Sequence, residues 1–167
     1  MKALSHLVST AIALALSGAA FNAVADDHKG ISTMECRPLN AAQTGLFFDH
    51  RGIANLSGAV RTVICPILRD QDGAYTAAVP GRVFAYLRAG AIPGQLRCTL
   101  YRGSAYTGVI QANSSLSPVV AAGAAGGLMI VAASNPGGIQ TQMNLVCSFT
   151  DRVTFAQIIL QEFGPTQ

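Results

Sequence analysis

Residues 95–101 read Gln95-Leu-Arg-Cys-Thr-Leu-Tyr101, and residues 143–149 read Met143-Asn-Leu-Val-Cys-Ser-Phe149. In the first stretch Leu96, Cys98 and Leu100 alternate with their neighbours; in the second Met143, Leu145, Cys147 and Phe149 do the same. Successive side chains of a strand point to opposite faces, so each stretch sets one apolar row, cysteine included, on a single face. A period of two, where a helix would show 3.6, marks strands with one buried side. Two inward cysteines on two such rows are placed to meet across a core.

Working outward, the same pattern recurs at 31–37, 46–50, 60–67, 82–88, 106–111, 128–132 and 152–163. Turn residues separate these segments: Asp70-Gln-Asp-Gly73, Pro80-Gly81, Ala91-Ile-Pro-Gly94, Arg102-Gly-Ser104 and Asn135-Pro-Gly-Gly138. No helical stripe persists for three turns after Ala25. Short alternating strands with regular punctuation predict an all-β protein, an antiparallel β-sandwich of Ig-like or jelly-roll-like type. Nine segments exceed the seven strands of the smaller sandwiches, so one or two are expected to be loops.

The amino terminus reads as a separate unit. Residues 1–25 carry Lys2, an apolar run at 7–16 and the small-x-small box Ala23-Val24-Ala25 ahead of Asp26-Asp27. That is the layout of a secretory signal peptide cut after Ala25. The apolar run is shorter than the ~20 residues a membrane span needs. Residues 26–167 are then one β-sandwich domain, secreted or periplasmic; the short Lys-led leader and Ala-x-Ala box equally suit a bacterial origin.

Composition excludes several functions. Of 167 residues only 11% are charged, with a net charge of +3, against about 25% charged in a typical soluble domain. Such a chain has neither the footprint of a nucleic-acid binder nor the charge pattern of a coiled coil. Cys36, Cys65, Cys98 and Cys147 form an even set, which in an exported chain implies disulfides. Their spacings of 29, 33 and 49 residues do not suit a zinc site, which wants close pairs. Three pairings are open, and face alternation favours Cys36–Cys65 with Cys98–Cys147.

Residues for catalysis are scarce. Beyond the leader the histidines are His28, in the charged lead Asp26-Asp-His-Lys29 and expected to fray, and His50 beside Asp49 at a strand end. No Gly-x-Ser-x-Gly elbow occurs, and a hydrolase built on His50 is the weakest reading. Asp70-Gln-Asp-Gly73 resembles a calcium-loop fragment but has its glycine two positions early and no following acid. No catalytic residue, metal ligand or cofactor site is therefore expected. The sequons Asn55-Leu-Ser57 and Asn113-Ser-Ser115 would be glycan acceptors in a eukaryotic pathway. Tyr75, Tyr86, Tyr101 and Tyr106 each combine an apolar face with a hydrogen-bonding tip, which makes them candidates for stacking on a ligand.

The Gly/Ala-rich stretch 117–138 is too short and too often broken by glycine to span a membrane. It is expected to be a turn followed by a strand, or an exposed apolar loop that meets a partner.

Three stretches in order, Met34-Glu-Cys-Arg-Pro38, then Gly52-Ile-Ala-Asn55 leading to Val63-Ile-Cys-Pro-Ile-Leu-Arg-Asp70, then Leu145-Val-Cys-Ser-Phe149, carry a family likeness. The chain resembles small exported proteobacterial proteins of unassigned function, marked by four cysteines and a strand ending in Cys-Pro-[Leu/Ile]. The resemblance implies a two-disulfide β domain outside the cytoplasm and brings no activity or site residue; the 117–138 stretch departs from it. The expected function is a non-enzymatic module acting through its surface in binding, adhesion or assembly, with a protein partner or self-assembly through edge strands or 117–138. Binding of a carbohydrate or small ligand is the alternative.

Overall fold

The computed structural model of the chain describes residues 26–68, 81–104, 110–132 and 141–163. The expected leader, Tyr75, Tyr106 and the acidic turn at 70–73 lie outside them. Eleven strands run through the described residues: β1 (Asp26–Ile31), β2 (Arg37–Pro38), β3 (Leu46–Asp49), β4 (Gly52–Asn55), β5 (Arg61–Ile67), β6 (Gly81–Ala89), β7 (Leu96–Ser104), β8 (Ile110–Leu116), β9 (Ala125–Ala132), β10 (Thr141–Phe149) and β11 (Val153–Phe163). They form a six-stranded sheet in the order β3-β4-β11-β6-β9, with β1 also on β11, and a five-stranded sheet in the order β2-β5-β10-β7-β8. Every pairing is antiparallel.

The wiring of β4 to β11 follows from one operation. Strand β7 pairs with β8, β6 with β9, β5 with β10 and β4 with β11, so the chain is a long two-stranded ribbon folded at the β7–β8 end. Rolling that ribbon puts alternate pairs in opposite sheets, and the contacts β11·β6 and β10·β7 close each sheet. This is the jelly roll, and of the two sandwich types expected it replaces the Ig-like one.

The two inner faces interdigitate as one core. Val83, Ala85, Leu87, Leu128, Ile130, Phe155, Ile158 and Leu160 face inward from the six-stranded sheet, and Val63, Leu96, Leu100, Met143, Leu145 and Phe149 from the other. The rings of Phe149 and Phe155 join the layers with centroids 5.9 Å apart, within the range of favourable aromatic pairs. In β11 the register slips between Phe155 and Gln157. This bulge divides one flank of the strand between two partners, β4 at Thr154 and Phe155 and β1 from Ile158 onward. Gly52 of β4 lies against it with φ +126°, and a Cβ there would stand 2.2 Å from the Phe155 carbonyl oxygen; only glycine fits that approach.

Both disulfides form with the favoured pairing, Cys36–Cys65 and Cys98–Cys147. The location of Cys98–Cys147 corrects the expectation of a bridge across the core. Cys98 and Cys147 are direct neighbours on β7 and β10 of one sheet. Cys36 continues the β2 register to lie opposite Cys65 on β5. The alternation correctly marked Cys98 and Cys147 as inward, and all four cysteines are 5% exposed or less, but inward rows on adjacent strands touch side by side.

Two further expectations are corrected at the start of the described chain. Asp26–Ile31 does not fray: it pairs along β11, with His28 opposite Gln161. The strand expected at 31–37 is a crossing between layers, where the Ser32 hydroxyl accepts from Met34 N at 3.2 Å and caps a 3-10 turn, Thr33–Glu35. Strand β4, only four residues long, falls between the expected segments. Strand β2 stops at Pro38, and Pro66 falls where β5 has no second partner among the described residues, in keeping with proline's missing N–H.

Asn55 ties the layers at one end. Its side chain is fully buried, and Nδ2 donates to the carbonyls of Ala59 (2.8 Å), Phe149 (3.1 Å) and Thr150 (3.1 Å). Its Oδ1 accepts from Ser57 N at 3.1 Å and Ser57 Oγ at 2.7 Å. The amide is consumed by structure, so the first sequon presents no accessible acceptor nitrogen.

Candidate functional site

The outward residues of the five-stranded sheet read as three cross-strand rows. Thr62, Ser148, Arg97 and Leu116 form one, Ile64, Val146, Thr99 and Ser114 the next, and Pro66, Asn144, Tyr101 and Ala112 the third. Hydroxyls pair along these rows, Thr62 Oγ1 with Ser148 Oγ and Thr99 Oγ1 with Ser114 Oγ, each at 2.8 Å. The rows hold no carboxylate. Arg97 is exposed and makes no ion pair with any described residue.

The first row opens into a groove of about 330 Å³ lined by Val60, Gln95, Arg97, Leu116, Ser148 and Thr150, with Phe149 also contributing. Hydrogen bonds fix its walls: Gln95 Nε2 donates to the Ser117 carbonyl at 3.0 Å, and Thr150 Oγ1 accepts from Gln95 N at 3.0 Å. Ser117 is buried, its Oγ accepting from Leu96 N at 3.0 Å and donating to the Pro118 carbonyl at 2.8 Å. Leu116, 48% exposed, and Val60, 60% exposed, supply apolar surface at the rim. From this groove β7 carries the face past Thr99 to Tyr101, a run of about 13 Å at the rise of an antiparallel strand. Tyr101 is 40% exposed and has the small Ala112 as its neighbour on β8, which leaves the ring accessible from that side.

The four candidate tyrosines do not make one stack. Tyr101 is on this face, whereas Tyr86, 38% exposed, is on the outer face of the six-stranded sheet between Gln157 and Gly127. Tyr75 and Tyr106 lie outside the described residues. The groove was missed because its lining comes from segments far apart in sequence, on the outward rows where no apolar periodicity flags them.

Two of the remaining ionisable groups, Asp49 and Glu162, have structural partners. His50 is exposed in the β3–β4 turn, and the neighbouring Asp49 is engaged with Arg51, accepting from its backbone N and from Nη2 at 2.8 Å each. The side-chain hydrogen bond from Arg51 holds the Asp49 carboxyl below its ordinary range. Glu162 is fully buried, 3.5 Å from Lys29 Nζ. Asn113 of the second sequon accepts from Arg102 Nη2 at 2.6 Å inside the sandwich. No cluster of His, Cys, Asp and Glu among the described residues is placed to hold a metal, and none of their helices is long and apolar enough to cross a membrane. Within the Gly/Ala-rich stretch, Val120 bridges to Gly94 and Ala125–Ala132 is strand β9.

No protein-family model matches the chain, and no curated protein matches its sequence. Among solved structures the chain is similar to the CBM22-1 and GH10 modules of the N-terminal endo-1,4-beta-D-xylanase 10B of Clostridium thermocellum, complexed with xylohexaose, at 14% identity and a TM-score of 0.49. That match covers 86% of this chain and 29% of the other, so the chain spans less than a third of that protein's length. It is also similar to TmCBM61 in complex with beta-1,4-galactotriose, at 11% identity and a TM-score of 0.33, covering 83% of this chain and 85% of that one.

Proposed function

We propose that this chain is an exported, non-enzymatic binding module that holds a saccharide chain on the outer face of its five-stranded sheet. The observation that carries the reading is the combination of Tyr101, the Thr99–Ser114 hydroxyl pair, Arg97 and the groove along one side of β7. A sugar presents an apolar C–H face and a rim of hydroxyls. An exposed ring suits the first, and a guanidinium fork with nearby hydroxyls and amides suits the second. The run from groove to Tyr101 exceeds one sugar ring, which favours an oligosaccharide. Export rests on the leader and on the resemblance to exported proteobacterial proteins; two formed disulfides fit an oxidising compartment.

Affinity electrophoresis through gels containing neutral or uronic-acid polysaccharides tests this directly. The wild-type protein is retarded by at least one polysaccharide; Tyr101→Ala and Arg97→Ala each weaken that retardation by roughly tenfold, and Tyr86→Ala leaves it unchanged. Free migration of the wild type in every gel, or equal retardation of all four proteins, refutes the proposal.

A further inference from the structure

The β6–β7 and β8–β9 loops meet at one end of the sandwich, where residues 90–94 read Gly-Ala-Ile-Pro-Gly and residues 118–125 read Pro-Val-Val-Ala-Ala-Gly-Ala-Ala. Backbone bonds lock the two together. Gly94 N donates to the Val120 carbonyl at 2.9 Å and Val120 N to the Gly94 carbonyl at 2.8 Å. Gly123 N donates to the Gly90 carbonyl at 2.8 Å, and Gly90 N to the Arg152 carbonyl at 2.7 Å, which seats the pair on the β10–β11 turn. Residues 90–93, 118, 119 and 121–125 are all exposed, Ile92 at 44% and Val119 at 66%. No side chain among them carries a polar atom. Isolated exposed apolar residues mean little, but a contiguous apolar surface marks an interaction.

A cationic collar surrounds this tip. Arg88 of β6 lies opposite Ala125 on the outer face of one sheet, and Arg97 of β7 opposite Leu116 on the outer face of the other. Both are exposed, and neither makes an ion pair with any described residue. The loops at this end, residues 39–45, 56–60, 90–95, 117–124 and 150–152, hold a single carboxylate, Asp151. It is already 3.4 Å from the Nε of a third arginine, Arg152.

We infer that this end is a docking tip whose occupant is the surface of an anionic phospholipid bilayer. Ile92, Pro93 and Val119 enter the boundary between headgroups and acyl chains, and Arg88 and Arg97 stand at headgroup level on either side. Apolar area and attraction to anionic headgroups are the two terms that set such interfacial binding, and the tip with its collar supplies both. A protein partner would find no side chain on the tip to bond, whereas protein interfaces carry about one hydrogen bond per 100–200 Å². Lipid asks for no directional partner but penalises open backbone groups. Here Ala89, Gly90, Gly94, Val120, Gly123 and Ala124 all donate to carbonyls of the tip or of Arg152, and Pro93 and Pro118 have no N–H to satisfy. The tip consists wholly of described residues, and the segments outside them attach at the opposite ends of the strands. The inference does not rest on the saccharide reading: Ile92, Val119 and Arg88 lie outside the groove.

Because all four native cysteines are in disulfides, Val119→Cys provides a single thiol for an environment-sensitive NBD label. Met129→Cys, outward and farther along β9, provides the control. With vesicles of phosphatidylcholine and phosphatidylglycerol, emission from position 119 shifts to the blue and is quenched by nitroxide-labelled lipid, and emission from 129 does neither. The wild type sediments with these vesicles. Its retention falls at least about tenfold on pure phosphatidylcholine, and falls as far in Arg88→Glu and in Ile92→Asp. Circular-dichroism spectra of these variants match the wild type. All variants keep the same amino terminus, so differences between them report the tip. An absent shift at 119, an equal shift at 119 and 129, or retention indifferent to phosphatidylglycerol, Arg88→Glu or Ile92→Asp overturns the inference.

Discussion

Asn55 offers a sharp test of how the two layers are held. In Asn55→Ala the carbonyls of Ala59, Phe149 and Thr150 lose their shared donor, and Ser57 loses its acceptor. The bond to the Phe149 carbonyl is buried and leaves that donor site empty; the other four are part-buried and recover water. One buried acceptor losing its donor costs about 1–3 kcal/mol and each recoverable bond about 0.5–1, for a total of at least about 3 kcal/mol. With a urea slope of about 2 kcal/mol per molar, the midpoint falls by at least about 1.5 M. Asn55→Asp separates the donor role from mere volume. Its carboxylate keeps the acceptor for Ser57 but aims negative charge at three carbonyl oxygens, raising the cost at pH 7 to about 4–5 kcal/mol, as for an uncompensated buried charge. The introduced carboxyl therefore has a folded-state pKa above its unfolded value. Its protonated form restores one donor, so stability recovers as pH falls through the folded pKa toward the unfolded one and is lost again as pH rises. Urea denaturation of both variants between pH 4 and pH 8 reads the difference. If Asn55→Asp costs no more than Asn55→Ala at pH 7, or if its deficit is flat with pH, the donor role assigned to Asn55 is wrong.

The disulfides close disjoint loops with separations of 29 and 49 residues, so in the chain-entropy model their contributions add, about 3.5 and about 4 kcal/mol; urea midpoints of Cys36→Ser/Cys65→Ser, of Cys98→Ser/Cys147→Ser and of the fourfold variant check both size and additivity. Asp49 has a lowered folded-state pKa, caused first by the Arg51 side-chain hydrogen bond, so its contribution is present above the unfolded carboxylate value and fades as pH drops below it. In Arg51→Ala the Asp49 titration, followed by carboxyl NMR shifts, moves up to the ordinary carboxylate range; no movement shows that the pairing is absent in solution.

The strands legible in the sequence are those with a full alternating row: β5, β6, β10 and β11 appear within a residue or two of their expected limits, while β7 runs three residues past its expected end, through the expected turn Arg102-Gly-Ser104. Alternation reports which residues face inward but not which strand lies beside which. That is why Cys98 and Cys147 were correctly inward yet expected to meet across the core, when they bridge neighbours within one sheet. Strand β1 eluded the reading because Asp26-Asp-His-Lys-Gly30 has weak strand propensity and is held by β11, a tertiary effect. Gly52–Asn55 is too short to show a period at all. On the candidate site, Tyr101 could be named from its side chain alone; Arg97, Leu116 and Val60 acquire meaning only when the rolled ribbon brings the ends of β5, β7, β8 and β10 together.

Strand β11 is the hub of the six-stranded sheet, bonded to β1, β4 and β6, and it follows them all in the chain. A polypeptide threading through a translocation pore from its amino terminus therefore delivers β1, β4 and β6 before the strand that unites them. These strands lack their shared neighbour until β11 is delivered, and unpaired strand edges are open to misassociation in the interval. Under the proposed export, strand order alone would set this sheet to complete only after β11 has crossed.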